Sequence, residues 1–107
     1  MATVPARKPA ETIEERFDRL AATWRSDTRF LSSTTKMADH PAYQEIITMG
    51  EEVVPFILRE LETEPDHWFK ALRAITGAQP VEAADAGNVP KMAKAWLSWG
   101  REHGYQW

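Results

Sequence analysis

Apolar residues return with the period of a helix along most of this chain. No stretch alternates convincingly in the two-residue rhythm of a strand. In "ETIEERFDRLAATWRSD", Ile13, Phe17, Leu20, Ala21 and Trp24 fall at i, i+4, i+7, i+8 and i+11, a single stripe down one side of a helix. Thr12, three residues before Glu15, has the spacing of a capping box, in which hydroxyl and carboxylate satisfy backbone donors of the first turn. Such stripes must be buried against one another, so the chain is constrained to helices packed on helices.

Four further segments follow the same grammar. "HPAYQEIITMG" places Pro41 at a first helical position, Tyr43, Ile46 and Ile47 on one face, and Gly50 where a left-handed stop belongs. "EEVVPFILRELETEPD" carries Val54, Ile57, Leu58 and Leu61 at i, i+3, i+4 and i+7, and Pro65 ends it. "DHWFKALRAITG" aligns Trp68, Leu72 and Ile75, with Asp66 expected as the cap and Gly77 as the stop. The last helix runs through Val89, Met92, Trp96, Trp99 and His103, opened by Asn88 and closed by Gly104. Residues 27–39 and 77–88 read as loops, with Phe30 and Leu31 expected to pin the first of them to the core. Residues 1–10 hold two prolines and no apolar period and read as a disordered tail, in which Arg7 and Lys8 are available to an acidic partner; residues 11–107 form a single helical domain.

At 107 residues the chain is long enough to bury a real core without disulfide or structural metal. It has no cysteine, which excludes disulfides, zinc–thiolate sites and thiol catalysis and suits the cytoplasm. A net charge of −3 with both signs interspersed argues against binding to nucleic acid. No apolar run is long enough for a membrane span, and "MATVPARKPAE" lacks the apolar stretch of a secretory signal.

The order Gly50, Val53, Val54, Pro55, Ile57, Leu58, Leu61, then Asp66, Ala71, Leu72, Ala74 and Ile75, resembles a HEAT-type helical hairpin. From about Phe30 to Trp107 the chain is also similar to a family of small, uncharacterised bacterial proteins. The resemblance implies a compact helical fold and a bacterial origin, and lends no activity. The expected architecture is therefore all-α: a compact bundle of four to five helices containing one HEAT-like antiparallel hairpin. HEAT-type hairpins usually serve as protein-binding surfaces. One hairpin is too little for a solenoid, so the other helices must cap it.

Two Asp-His pairs, Asp39–His40 and Asp66–His67, each stand ahead of a predicted helix. Imidazole and carboxylate are ligands for a divalent metal, and one intervening helix would let the two starts share an end of the bundle. On that reading the chain is a metal-dependent hydrolase. The competing reading is capping, which an Asp before a helix performs without any metal. No nucleophile-elbow serine and no glycine-rich phosphate loop is present. We take the capping reading, with no catalytic residue, cofactor or metal.

The tryptophans carry more information. Trp24, Trp68 and Trp96 lie on apolar stripes and belong to the core. Trp99, Tyr105 and Trp107 crowd the chain end, where they either close over the first helix or form an aromatic contact patch. With the outer edge of the fourth predicted helix, Phe69, Lys70 and Arg73, they make up the expected contact surface for another protein. The function this implies is a non-enzymatic interaction module, a small adaptor or the regulatory or neutralising subunit of a bacterial system.

Overall fold

The computed structural model describes residues 11–107; the tail expected over residues 1–10, with Arg7 and Lys8, lies outside the described residues. The described residues are all-α and contain no strand. They form α1 (Ile13–Thr28), α2 (Thr34–Ala38), α3 (Pro41–Thr48), α4 (Val54–Thr63), α5 (Phe69–Thr76) and α6 (Val89–Glu102). Single 3₁₀ turns at Gly50–Val53 and Ala83–Asp85 lead into α4 and α6.

Local chemistry sets most of these boundaries. The capping box forms as its spacing predicts: the Thr12 hydroxyl accepts from the Glu15 amide and the Glu15 carboxylate from the Thr12 amide, each at 3.1 Å. The Asn88 side chain accepts from the Lys91 amide and opens α6. Gly77, with φ of 72°, takes the left-handed conformation that ends α5, where a side chain would be strained. Glu64, held extended because Pro65 follows it, ends α4.

The expectation of four to five helices falls short by one. The stretch read as a loop over residues 27–39 contains α2, whose five residues are too few to show a periodicity. Ser33 caps it by accepting from the Lys36 amide, and the buried Trp24 indole anchors it by donating to the Met37 carbonyl at 2.8 Å. Phe30 and Leu31 do not pin this segment. They are 91% and 40% exposed, because the chain turns outward at the end of α1 while Thr28 is buried instead, its hydroxyl donating to the Trp24 carbonyl. Phe30 is left with the Arg29 guanidinium over its ring. Ile13 also leaves the stripe: it is 37% exposed, and the buried part of α1 starts one turn later at Phe17.

α1 lies on α3, α3 on α5, and α4 on α6, with the turn at Gly50–Val53 wedged among α1, α3, α4 and α5. Although α4 and α5 are consecutive, each packs more extensively on a third helix than on the other. One buried cluster runs through the interior, and its centre is aromatic. Trp68 is fully buried between Phe17, Trp24 and Tyr43, with ring centroids 5.5, 4.6 and 5.7 Å away. Such ring pairs add to the burial energy through their quadrupoles. Where α4 meets α6 a glycine is required by space: a Cβ at Gly100 would stand 2.6 Å from Leu58 Cδ1, and Leu58 is itself fully buried.

Candidate functional site

The two Asp-His pairs prove to be four residues with four different surroundings. His40, not Asp39, is the cap of α3: its Nδ1 accepts the Ala42 amide proton at 3.0 Å. An acceptor at Nδ1 places the ring proton on Nε2, which donates to Asp27 Oδ2 at 2.8 Å. Asp39 ends α2. Asp66 does not cap α5; its carboxylate accepts from the neighbouring His67 amide at 2.7 Å, in the turn before the helix. Among the described residues, no three His, Asp or Glu side chains gather as metal ligands would, so Asp39, His40, Asp66 and His67 do not form the metal set that the hydrolase reading needs. His40→Ala is expected to lower stability by about 1 kcal/mol, and His40→Asn, which keeps an acceptor at the cap, to recover most of it. Urea denaturation of the two variants checks this.

Trp68 occupies the cap position of α5 and offers no side-chain acceptor, so a first-turn amide of α5 is satisfied from another helix. The Tyr43 hydroxyl accepts from the Ala71 amide at 2.9 Å, in the first turn of α5, and donates to the His67 carbonyl at 3.0 Å. Burial pushes the Tyr43 phenol pKa well above its ordinary value. The α3–α5 contact therefore fixes how α5 is presented, and with it the outward face carrying Lys70 and Arg73.

That face borders a groove of about 370 Å³ between α5 and the start of α6. Phe69, Val89 and Met92 give it an apolar floor. Thr34 of α2 and His67 also line it, and the exposed Lys70 and Arg73 form its rim. Beyond Arg73 the depression continues past Met92 toward Gln79, Val81 and Trp96. Phe69 was expected on the contact surface but is only 8% exposed, because it shares the core with Leu72; it serves the groove as floor. Lys70 Nζ donates to the Thr35 hydroxyl at 3.1 Å, and Arg73 has no ion-pair partner among the described residues. The contrast lies within the molecule: Arg16, Arg19, Arg25, Arg59 and Arg101 each hold a carboxylate. No carboxylate lines the groove at Lys70; Glu82 lines only the extension past Arg73. Cations beside an apolar wall, with no carboxylate lining the groove at Lys70, give this face a positive local field even on a chain whose net charge is −3.

The chain-end aromatics do not join this groove. Trp99 stacks with His103 at 4.4 Å and Tyr105 at 5.5 Å, beside the end of α5 at Thr76–Ala78. Burial and the charge of Glu51 both raise the Tyr105 phenol pKa. Trp107 turns to the other side of α6, where it packs on Gly100 and its indole donates to Glu62 at 3.3 Å. All three rings are half-buried. The first helix is not what they close over: Trp107 reaches α4, and the other two lie along α6. The six residues expected to make one surface thus occupy three places. Thr34, His67, Val89 and Met92 are not assigned to the contact surface from the sequence, because a groove between two helices leaves no period in either one.

No protein-family model, no curated protein and no solved structure matches this chain.

Proposed function

We propose that the protein is a non-enzymatic interaction module that docks another protein in the α5–α6 groove. One observation supports the reading above the others: among the described residues Lys70 and Arg73 stand over an apolar floor without an ion-pair partner, in a molecule that pairs five of its other arginines. Unpaired cations beside exposed apolar surface are what a partner's carboxylates and apolar side chains complete. The resemblance of residues 50–75 to a HEAT-type hairpin agrees with this reading, since such hairpins serve as binding surfaces. The similarity to small bacterial proteins from about Phe30 onward and the lack of cysteine support a module of the bacterial cytoplasm, an adaptor or the regulatory or neutralising subunit of a larger system. No helix among the described residues is long and apolar enough to cross a membrane.

The decisive comparison is between the charge-reversed double variant Lys70→Glu/Arg73→Glu and the aromatic variant Trp99→Ala/Trp107→Ala. Both reversed side chains are exposed, so folding should be unaffected. Reversal sets like charges against an acidic partner, and affinity for the native partner should fall about a hundredfold. Calorimetry with the purified partner checks this. Undiminished affinity in the reversed variant, together with its loss in the aromatic one, would move the contact surface to the end of α6.

A further inference from the structure

We infer that the occupant of this groove is a short acidic segment bearing one large apolar side chain, with carboxylates close to it on either side. The inference rests on the groove being the contact surface, and names the chemistry that fills it. Size limits the occupant first. α5 has eight residues, so its outer face is about 12 Å long. An extended segment covers that length in about four residues, at roughly 3.3 Å each. The groove's 370 Å³ admits an anchor side chain and not a folded element.

The chemistry of the walls sets the rest. Phe69, Val89 and Met92 offer only apolar contact, and the methionine can adapt to aromatic or branched aliphatic shapes. Lys70 and Arg73, three residues apart on α5, are neighbours on its surface at about 5–6 Å. Carboxylates one position before and after an inserted anchor turn away from the floor toward the rim that Lys70 and Arg73 line, about 7 Å apart. Long, flexible Lys and Arg side chains span that difference. An apolar floor gives a bare phosphate nothing to bind. The overall charge of −3 opposes an anionic membrane or a nucleic acid, which would meet the whole molecule and not the groove alone. A short acidic segment meets only the local positive field.

The test is selection from a random-peptide display library on the full chain, followed by amide shift mapping of the selected peptides by NMR. The expected result is enrichment of Asp or Glu within about two positions of an aromatic or large aliphatic residue. The shifts should centre on Phe69, Val89 and Met92. Affinity should fall at least tenfold in Lys70→Glu/Arg73→Glu and should weaken with added salt. Peptides that shift the groove amides but lack carboxylates, or that tolerate the reversal, overturn the acidic occupant and leave the groove as the contact surface. Peptides that shift only the Trp99–Tyr105 region, or a library that yields no enrichment, overturn both. Concentration-dependent shifts at Phe69 and Met92 in the chain alone overturn the acidic segment in favour of a second copy.

Discussion

Replacing Trp68 by alanine is expected to lower the unfolding free energy by about 4 kcal/mol, the middle of the range for removal of a core aromatic. The indole is fully buried and stands where α1, α3 and α5 meet. It lies 4.6 Å from the Trp24 ring, 5.5 Å from Phe17, and 5.7 Å from Tyr43, to which it is nearly parallel. Three helices would thus lose a common wall, and none can close the gap without leaving its own partners. Trp68 Nε1 finds no acceptor among the described residues, so the loss is of packing and not of a hydrogen bond. Trp68→Phe should therefore cost far less, about 1–2 kcal/mol, since it keeps a ring in the cluster and removes an unmatched donor. Against a typical total of about 5–15 kcal/mol, the alanine variant should be marginal near 37 °C. Urea denaturation followed by far-ultraviolet dichroism, which does not depend on the deleted fluorophore, reads both. An alanine variant within 1 kcal/mol of wild type would refute the central role given to this ring.

Tyr43→Phe is expected to cost about 2–3 kcal/mol while changing a single oxygen. That oxygen is shared by the Ala71 amide and the His67 carbonyl. Its loss strands a buried donor at the uncapped start of α5 and an acceptor beside it, each worth about 1–3 kcal/mol when left unmet. The contrast is Asp66→Ala. Asp66 looks like the cap in the sequence but binds only its neighbour's amide, and its removal should cost less than 1 kcal/mol. A result in which Asp66→Ala hurts more than Tyr43→Phe would return the capping role to Asp66.

The phenol adds a pH signature with a definite sign. Its pKa is raised in the folded state, so above the ordinary tyrosine value of about 10 the unfolded chain gives up a proton that the folded one retains. This contribution is complete below that pH and is lost as the pH rises beyond it. Wild type should destabilise more steeply than Tyr43→Phe over that alkaline range.

Structure set by local physics is legible in the sequence. The Thr12–Glu15 box, Asn88 and the left-handed Gly77 act within one turn of backbone and form as their spacing predicts. Trp24, Trp68 and Trp96 are buried, because each lies on a stripe whose exposure would be costly. The failures share a cause as well. Phe30 and Leu31 look like anchors because they are apolar, but the chain turns them outward at the end of α1, and hydrophobicity alone does not specify direction. Trp107 looked free to cover the first helix. It lies on α4 because Gly100 leaves a gap in the wall of α6 and Glu62 accepts its indole proton.

The same division holds for the candidate site. Lys70 and Arg73 could be marked as outward-facing cations from their helical spacing. Their lack of ion-pair partners, and the apolar floor beneath them, depend on where α6 returns and on α3, through Tyr43, holding the start of α5. By itself the sequence determined an all-α chain, where most of its helices start and stop, and which faces must be hidden. Only the tertiary structure decided which hidden face meets which, which residue caps α5, and that Phe69, Val89 and Met92 share a groove. Periodicity and capping are energies of neighbouring residues, whereas a groove or a borrowed cap belongs to pairs far apart in the chain, whose meeting is selected by the packing of the whole.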